Sequence, residues 1–255
     1  MRFKKRIKPY LPPPLKRLMK DLIALTYTSY HSFRCLFNRI FLSNTLYTRC
    51  QHLHIGCGQI HLKNFLNIDS RATSATDLVM DCSNLSPLPR NFFKTVYAQA
   101  FIEHLRLDKR LPFLHSVYGV LSDDGIALFL GIPDFETAAK SYLTKSKGIK
   151  HKKFDLWEVY RYTHGDPEQH PGWWYEQLHK SLFDVQEIDK LLKEAGFKYY
   201  KIFRYCFAKE KIALNLGFVA FKTKPKSDLT KKRLTKLMSE YRGNVALNTL
   251  QIVNA

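Results

Sequence analysis

The stretch Gln51 to Asp69, QHLHIGCGQIHLKNFLNID, constrains the fold more than any other part of the chain. Leu53 and Ile55, flanked by histidines, suit a short buried strand. Gly56-Cys57-Gly58 then stops it in a tight turn where backbone can lie against a ligand. Phe65-Leu66-Asn67-Ile68 reads as a second strand ending on Asp69. In doubly wound folds, a carboxylate at a strand's carboxyl end beside a glycine turn is placed to accept hydrogen bonds from a ribose. Only about ten residues join the two strands, which leaves little room for a crossover helix.

The pattern continues downstream. Asp77-Leu-Val-Met-Asp81 is a third short strand with an acid at its end, followed by Cys82 and the turn-rich SNLSPLP. Lys94 to Gln99 is a fourth. From Ala100-Phe-Ile-Glu-His104 a helix is expected through Leu111, Leu114, Val117, Tyr118 and Leu121, ending at Asp123-Asp124-Gly125. Ile126 to Ile132 is a nearly continuous apolar run, as in a strand buried on both faces, closed by Pro133-Asp134. Asp184-Val-Gln-Glu187 is a capping box opening a helix that stops at Gly196. KYYKIFRY and ALNLGFVAFKTK complete the sheet, and residues 225 to 255 give a basic helix and a tail of little signal.

The order HIGCG, FLNID, DLVMDCSNLSPLP, KTVYAQAFIEHL, VLSDDGIALFLGIPD resembles the class I S-adenosylmethionine-dependent methyltransferases. Within them it is most similar to the short-crossover branch with an LNLGCG-type first motif and an LEH-type motif after strand four. The resemblance covers residues 50 to 135 well, the chain to about 224 loosely, and the first 45 not at all. It implies a Rossmann-like α/β fold, a seven-stranded sheet with helices on both faces and an antiparallel last strand. It also implies S-adenosylmethionine as cofactor, held by Gly56, Cys57, Gly58, Asp69, Asp81, Cys82, Gln99, Ala100 and His104. Asp81 and the backbone of Cys82 would face the adenine, although Asp81 can equally cap the next turn with Ser83. His104 either flanks the cofactor or is a satisfied core histidine. The chain departs from the pattern at three points: Ile60 replaces the third glycine, Asn64 stands where the branch has glycine, and Lys94 where the family carries an acid. Asn tolerates the left-handed backbone better than most residues.

The chain carries 41 Lys and Arg against 22 Asp and Glu, a net charge of +19, which predicts attraction to nucleic acid, anionic lipid or acidic glycan. Arg2, Lys4, Lys5, Arg6, Lys8, Lys16, Arg17 and Lys20 come with no acid among them. Pro9, Pro12, Pro13 and Pro14 are expected to break any helix there. From Leu15 to Leu42 apolar residues recur at helical spacing, but Lys16, Arg17, Lys20, Asp21, Arg34 and Arg39 interrupt them too often for a membrane span or a signal peptide. Residues 1–45 therefore form a basic helical extension that either caps the sheet or lies on an anionic membrane surface. A cytoplasmic location follows, peripheral to the inner face of a membrane in the second case. The five cysteines show no CxxC or Cys/His spacing, which implies a reduced compartment and no structural zinc.

Within a methyltransferase domain of residues 46–224, the segment 136–183 leaves the end of strand five and is the candidate acceptor lid. Trp157, Trp173, Trp174 and Tyr175 offer flat faces for a sugar or ring. His164, His170 and His179 show no metal-site spacing, so no metal is expected. His179 matches a family histidine ahead of the late helix and is the candidate general base or acceptor anchor, with a purely hydrogen-bonding lid role as the alternative. His104 and Asp134 complete the catalytic candidates. No [DN]PP[YFW] or cysteine follows strand four, which argues against exocyclic-amine and covalent pyrimidine methylation. The expected reaction is methyl transfer to a hydroxyl-bearing small molecule, glycan or lipid-linked intermediate; an RNA methyltransferase and a non-catalytic S-adenosylmethionine-binding protein are the alternatives.

Overall fold

In the computed structural model, residues 13–37, 50–146, 154–165, 177–207, 210–239 and 245–253 are described. Strands β1 (His52–Ile55), β2 (Leu66–Asp69), β3 (Leu78–Val79), β4 (Phe93–Gln99), β5 (Leu121–Pro133), β6 (Tyr199–Phe207), β7 (Asn215–Phe221) and β8 (Val245–Val253) form one sheet, ordered β3-β2-β1-β4-β5-β7-β6-β8. The pairs β2–β3, β1–β2, β1–β4 and β4–β5 are parallel, with Leu53 opposite both Leu66 and Val96. The sheet has eight strands, not the expected seven. The extra one is the C-terminal tail, which pairs antiparallel with β6 and covers that edge.

Alternation along the strands divides the core between the two faces, because successive side chains of a strand point oppositely. Val96, Ala98, Ala127, Phe129, Phe218 and Ala220 face one cluster, shared with Phe113, Val117, Ile188 and Leu192 of helices α2 (Leu107–Val120) and α5 (Val185–Glu194). Tyr97, Leu128, Leu130, Val219 and Phe221 face the other, with Leu234 and Met238 of α6 (Lys231–Ser239). Helices therefore cover both faces, as expected. Helices α3 (Phe135–Leu143) and α4 (Leu156–His164) follow β5.

No helix occupies the first crossover. Asn67, fully buried in β2, holds it instead: its amide donates to Leu62 O, Phe65 O and Asp77 Oδ2, while its Oδ1 accepts from Leu62 N–H. Asn64 has φ 67°, the left-handed conformation foreseen for it.

The helix expected from Ala100 is broken in two. Ala100 has φ 51°, a 3-10 turn spans Ile102–His104, and α2 begins only at Leu107. The carbonyl of Glu103 accepts the Lys180 and Ser181 N–H groups, and that of Leu105 accepts the Ser181 hydroxyl, so these carbonyls are not available to extend a helix. At its far end α2 stops at Val120 rather than at Asp123-Asp124-Gly125, because Leu121 already pairs with Phe93. The capping box forms in part: Asp184 Oδ1 accepts the Glu187 N–H at 2.7 Å, while the Glu187 carboxylate goes to Arg110 of α2 at 2.8 Å.

The N-terminal helix α1 (Pro13–Phe37) starts two residues earlier than the prolines suggest. Prolines in a first turn lose no intrahelical hydrogen bond, so Pro13 and Pro14 open the helix rather than block it. Its last turns dock on the loop after β2. Arg34 donates to the carbonyls of Thr73, Ser74 and Thr76, and Cys35 is buried beside them. Earlier in α1, Leu22, Ile23, Leu25, Tyr30 and Phe33 are exposed, Phe33 by 70%. No helix among the described residues is long and apolar enough to cross a membrane.

Candidate active site

β1 lies between β2 and β4, so the chain's direction of travel across the sheet reverses there, and ligands of open α/β sheets bind in the crevice outside such a switch point. A cavity of about 260 Å³ occupies that place, and Gly56, Gly58, Asp69, Asp81, Cys82, Ala100 and His104 all line it. The two glycines serve different ends. Gly56, at φ 62°, has Phe101 so close that a Cβ would sit 2.6 Å from its ring, whereas a Cβ on Gly58, at φ 55°, would meet no atom within 4 Å. The first glycine is demanded by packing. The second leaves open space over the turn.

Asp69 is 5% exposed and organises this corner through backbone donors. Its Oδ2 accepts the Gly58 N–H at 2.8 Å and its Oδ1 the Arg71 N–H at 2.9 Å. A carboxylate oxygen has two lone-pair directions, so capacity for a ligand hydroxyl is left. Asp81 is exposed, and its Oδ1 accepts both the N–H and the hydroxyl of Ser83. The capping role therefore exists, alongside a place on the cavity wall. Two residues expected around the cofactor do not line the cavity. Cys57 is buried against Thr76, its thiol pushed up to about 12 by burial, and Gln99 accepts the Tyr97 hydroxyl at 2.8 Å.

A second cavity, of about 590 Å³, is lined by His179, His164, Arg110 and Phe135, with Lys180 on the wall of both. His104 and His179 meet between the two, their rings edge to face with centroids 5.1 Å apart. His179 Nδ1 lies 2.8 Å from Tyr162 O and its N–H bonds to His164 O, both free carbonyls of the last turn of α4. His104 Nδ1 lies 3.1 Å from Leu178 O. A carbonyl only accepts, so each Nδ1 carries the proton and each Nε2 keeps its lone pair. Burial lowers both rings' affinity for a second proton. His104, with His179 as a further cause, falls to about 4.

Glu103, one residue before, is 1% exposed, and burial raises its carboxyl to about 8. No spacing in the sequence singles it out; only the fold brings it beside the two histidines. Arg71, Thr73 and Phe101 likewise shape the site without a sequence signal.

Asp134 does not join this group. It is 1% exposed and bound by Arg204 and the Thr137 hydroxyl, and it lines neither cavity. It lines instead a much smaller pocket with Phe135, Tyr162 and Thr163, apart from the two histidines. His170, Trp173, Trp174 and Tyr175 of the expected lid lie outside the described residues, as does most of the basic tail. Trp157 lies on α4, 5.6 Å from Tyr160 by ring centroids.

The strand order, the antiparallel β7 between β5 and β6, and a cavity at the β1 switch point define a Rossmann-like α/β sheet, the arrangement that the sequence resemblance implies. No protein-family model matches the chain, and no curated protein does. Among solved structures it is similar to a SAM-dependent methyltransferase of Archaeoglobus fulgidus, 13% identical over 72% of this chain and 92% of that one, with a TM-score of 0.45. It is also similar to a possible histamine N-methyltransferase of Thermotoga maritima (16% identity, 77% and 99% covered, TM-score 0.43). A third is an S-adenosylmethionine-dependent methyltransferase of Clostridium acetobutylicum (12%, 77% and 100%, 0.42).

Proposed function

We propose that the chain transfers a methyl group from S-adenosylmethionine to a hydroxyl-bearing small molecule, glycan or lipid-linked intermediate. The observation that carries this reading is the convergence of Gly56, Gly58, Asp69, Asp81, Cys82, Ala100 and His104 on one cavity. The residues fit the cofactor: Asp69 would take the ribose hydroxyls, Asp81 the adenine amino group, and the space over Gly58 the methionine part. Arg71, Lys109 and Lys180 on the same wall suit its carboxylate. When bound, S-adenosylmethionine supplies a methyl group on a sulfonium that leaves as a neutral thioether. The adjoining cavity would seat the acceptor, and its hydroxyl proton leaves at the corner where His104 and His179 present lone pairs. The neutral state of both rings suits that task.

Calorimetry with S-adenosylmethionine, followed by mass detection of methylated products from cell extract and labelled cofactor, tests this. The expected result is cofactor binding, turnover, and an His179→Ala variant slowed roughly 10²- to 10⁴-fold with unchanged cofactor affinity. No binding refutes the reading; binding without any methylated product favours the non-catalytic alternative, and methylated RNA the nucleic-acid one.

For the N-terminal extension we favour an anionic membrane surface over RNA, because α1 leaves large apolar side chains exposed on a segment rich in Lys and Arg. Removal of residues 1–14 should weaken adhesion to anionic vesicles at low salt. Equal adhesion by the truncated and intact chains would dismiss the tail as anchor.

A further inference from the structure

Glu103, His104 and His179 each offer a ligand atom, and these atoms all lie within 4.8 Å of one another. We infer that they form a binding site for one first-row divalent transition cation, set between the cofactor cavity and the acceptor cavity. Three features of the corner point to a cation. First, Glu103 Oε2 is buried with no hydrogen-bond partner among the described residues. An unpaired carboxylate oxygen in that position is costly, and a cation would satisfy it. Second, His104 and His179 both spend Nδ1 on a backbone carbonyl, which fixes the tautomer that leaves Nε2 to ligate, the second-shell arrangement typical of metal-bound imidazole. Third, two imidazoles and one carboxylate form a donor set that suits first-row metals and leaves coordination positions open.

The ligand atoms, spread over as much as 4.8 Å, must draw together on binding. His104 Nε2 is 3.8 Å from Glu103 Oε1, while ligands at about 2.1 Å from a shared cation stand roughly 3.0 to 3.4 Å apart. The ionisable groups facing the corner, besides the three ligands, are His164 and Lys180, and the Lys180 ammonium opposes a cation. His104 lines the first cavity and His179 the second, so a cation held by both would sit on the wall the two cavities share. Its use there rests on the methyl-transfer reading. A cation at Nε2 occupies the lone pair of His179, so the acceptor hydroxyl would be acidified by coordination and its proton released to water instead of to the ring.

Cobalt(II) is the probe, because nitrogen and carboxylate ligation gives it a visible absorption band. The full chain, without cofactor, is titrated alongside Glu103→Gln, His179→Ala and the control His115→Ala, which removes an exposed histidine of α2. The expected result is one equivalent bound by the full chain and by the control, with affinity at least tenfold lower in the other two variants. The melting temperature should rise with cobalt in the full chain but not in Glu103→Gln, a comparison that holds even where that variant is less stable. The inference is overturned if no stoichiometric band appears, if both site variants bind as tightly as the full chain, or if the control loses as much as they do. A cobalt band with no S-adenosylmethionine binding would refute only the methyl-transfer reading. Cofactor binding with no band would refute only the cation site.

Discussion

Asp69 and Asp134 occupy matching places, each at the carboxyl end of a parallel strand and each almost without solvent exposure, yet Asp69 lines the cavity at the switch point and Asp134 only a much smaller one beside Phe135 and Thr163. Around Asp69 the hydrogen-bond donors are the backbone N–H groups of Gly58 and Arg71, with the Arg71 guanidinium a looser partner 3.5 Å from Oδ1, which leaves Oδ2 room for a further donor. At Asp134 the donors are side chains, those of Arg204 and Thr137, and the guanidinium of Arg204 also reaches Glu136. Beyond it Glu210 gathers the Tyr162 hydroxyl, the Asn215 amide and the Phe207 N–H, although Asp134 Oδ1 itself is buried with no hydrogen-bond partner among the described residues. Position at a strand end brings a carboxylate to the ligand edge. What donates to it decides whether it remains open to a ligand.

The contrast breaks most easily at Asp134. Asp134→Ala leaves a largely buried Arg204 without its main partner and should cost about 3 to 5 kcal/mol of stability, read from denaturant midpoints. Cofactor affinity of the folded fraction should not change. A tenfold loss of affinity there would put Asp134 back in the site.

Asp69→Ala should do the reverse. It removes the proposed ribose acceptor, lowering S-adenosylmethionine affinity by about 1.5 to 3 kcal/mol, with a smaller loss of stability. Calorimetry showing unchanged affinity, with the fold intact, would end the parallel with ribose-binding carboxylates.

Arg34→Ala probes the open corner from behind. Arg34 holds Thr73, Ser74 and Thr76 by their carbonyls, and the Thr73 hydroxyl donates to Gly58 O, so α1 touches the glycine turn through two links. Loosening that contact should shift cofactor affinity by about 0.5 to 2 kcal/mol, and no shift would mark α1 as independent of the turn.

Acidity separates the two corners in sign. Burial holds the folded pKa of His54, beneath the open corner, below its ordinary value of 6.5. Below pH 6.5 the unfolded chain therefore binds the proton first, and stability drains away as pH falls toward the lowered value. Burial raises Glu210 above 4.5 in the closed corner, so its contribution is full below pH 4.5 and is lost as pH rises through the raised value. Chemical denaturation across pH 4 to 8 should show a shallower acid limb in His54→Asn and a shallower alkaline limb in Glu210→Gln. Unchanged limbs would remove these two residues as their source.

Much of the open corner was legible because glycine turns and strand-end acids are local features. Gly56, Gly58, Asp69 and Asp81 announce themselves within short windows, and the strands carry their own apolar pattern. The closed corner was not legible, since Asp134 looks like any strand-end acid until Arg204, far away in sequence, arrives on β6. The same holds for Glu103, whose neighbours His104 and His179 meet only because residues 178–181 bond to residues 103–105. Residues 245–253 showed little as a lone segment because an edge strand draws its order from the strand it pairs with. The helix expected after β4 failed for a tertiary reason, as carbonyls of residues 103 and 105 are claimed by residues 180 and 181.

Asn67 carries a consequence for how this chain tolerates change. Surface connections usually drift in length, because a longer loop adds only a slowly growing entropic cost. Between β1 and β2 the connection is measured from inside by one amide, which reaches Leu62, Phe65 and Asp77 at once while its oxygen meets His54. An inserted residue there would have to break one of those bonds and leave a polar group of the fully buried Asn67 without its partner. This crossover should therefore be the part of the molecule where insertions and deletions are least accepted, even though it holds no helix and no strand.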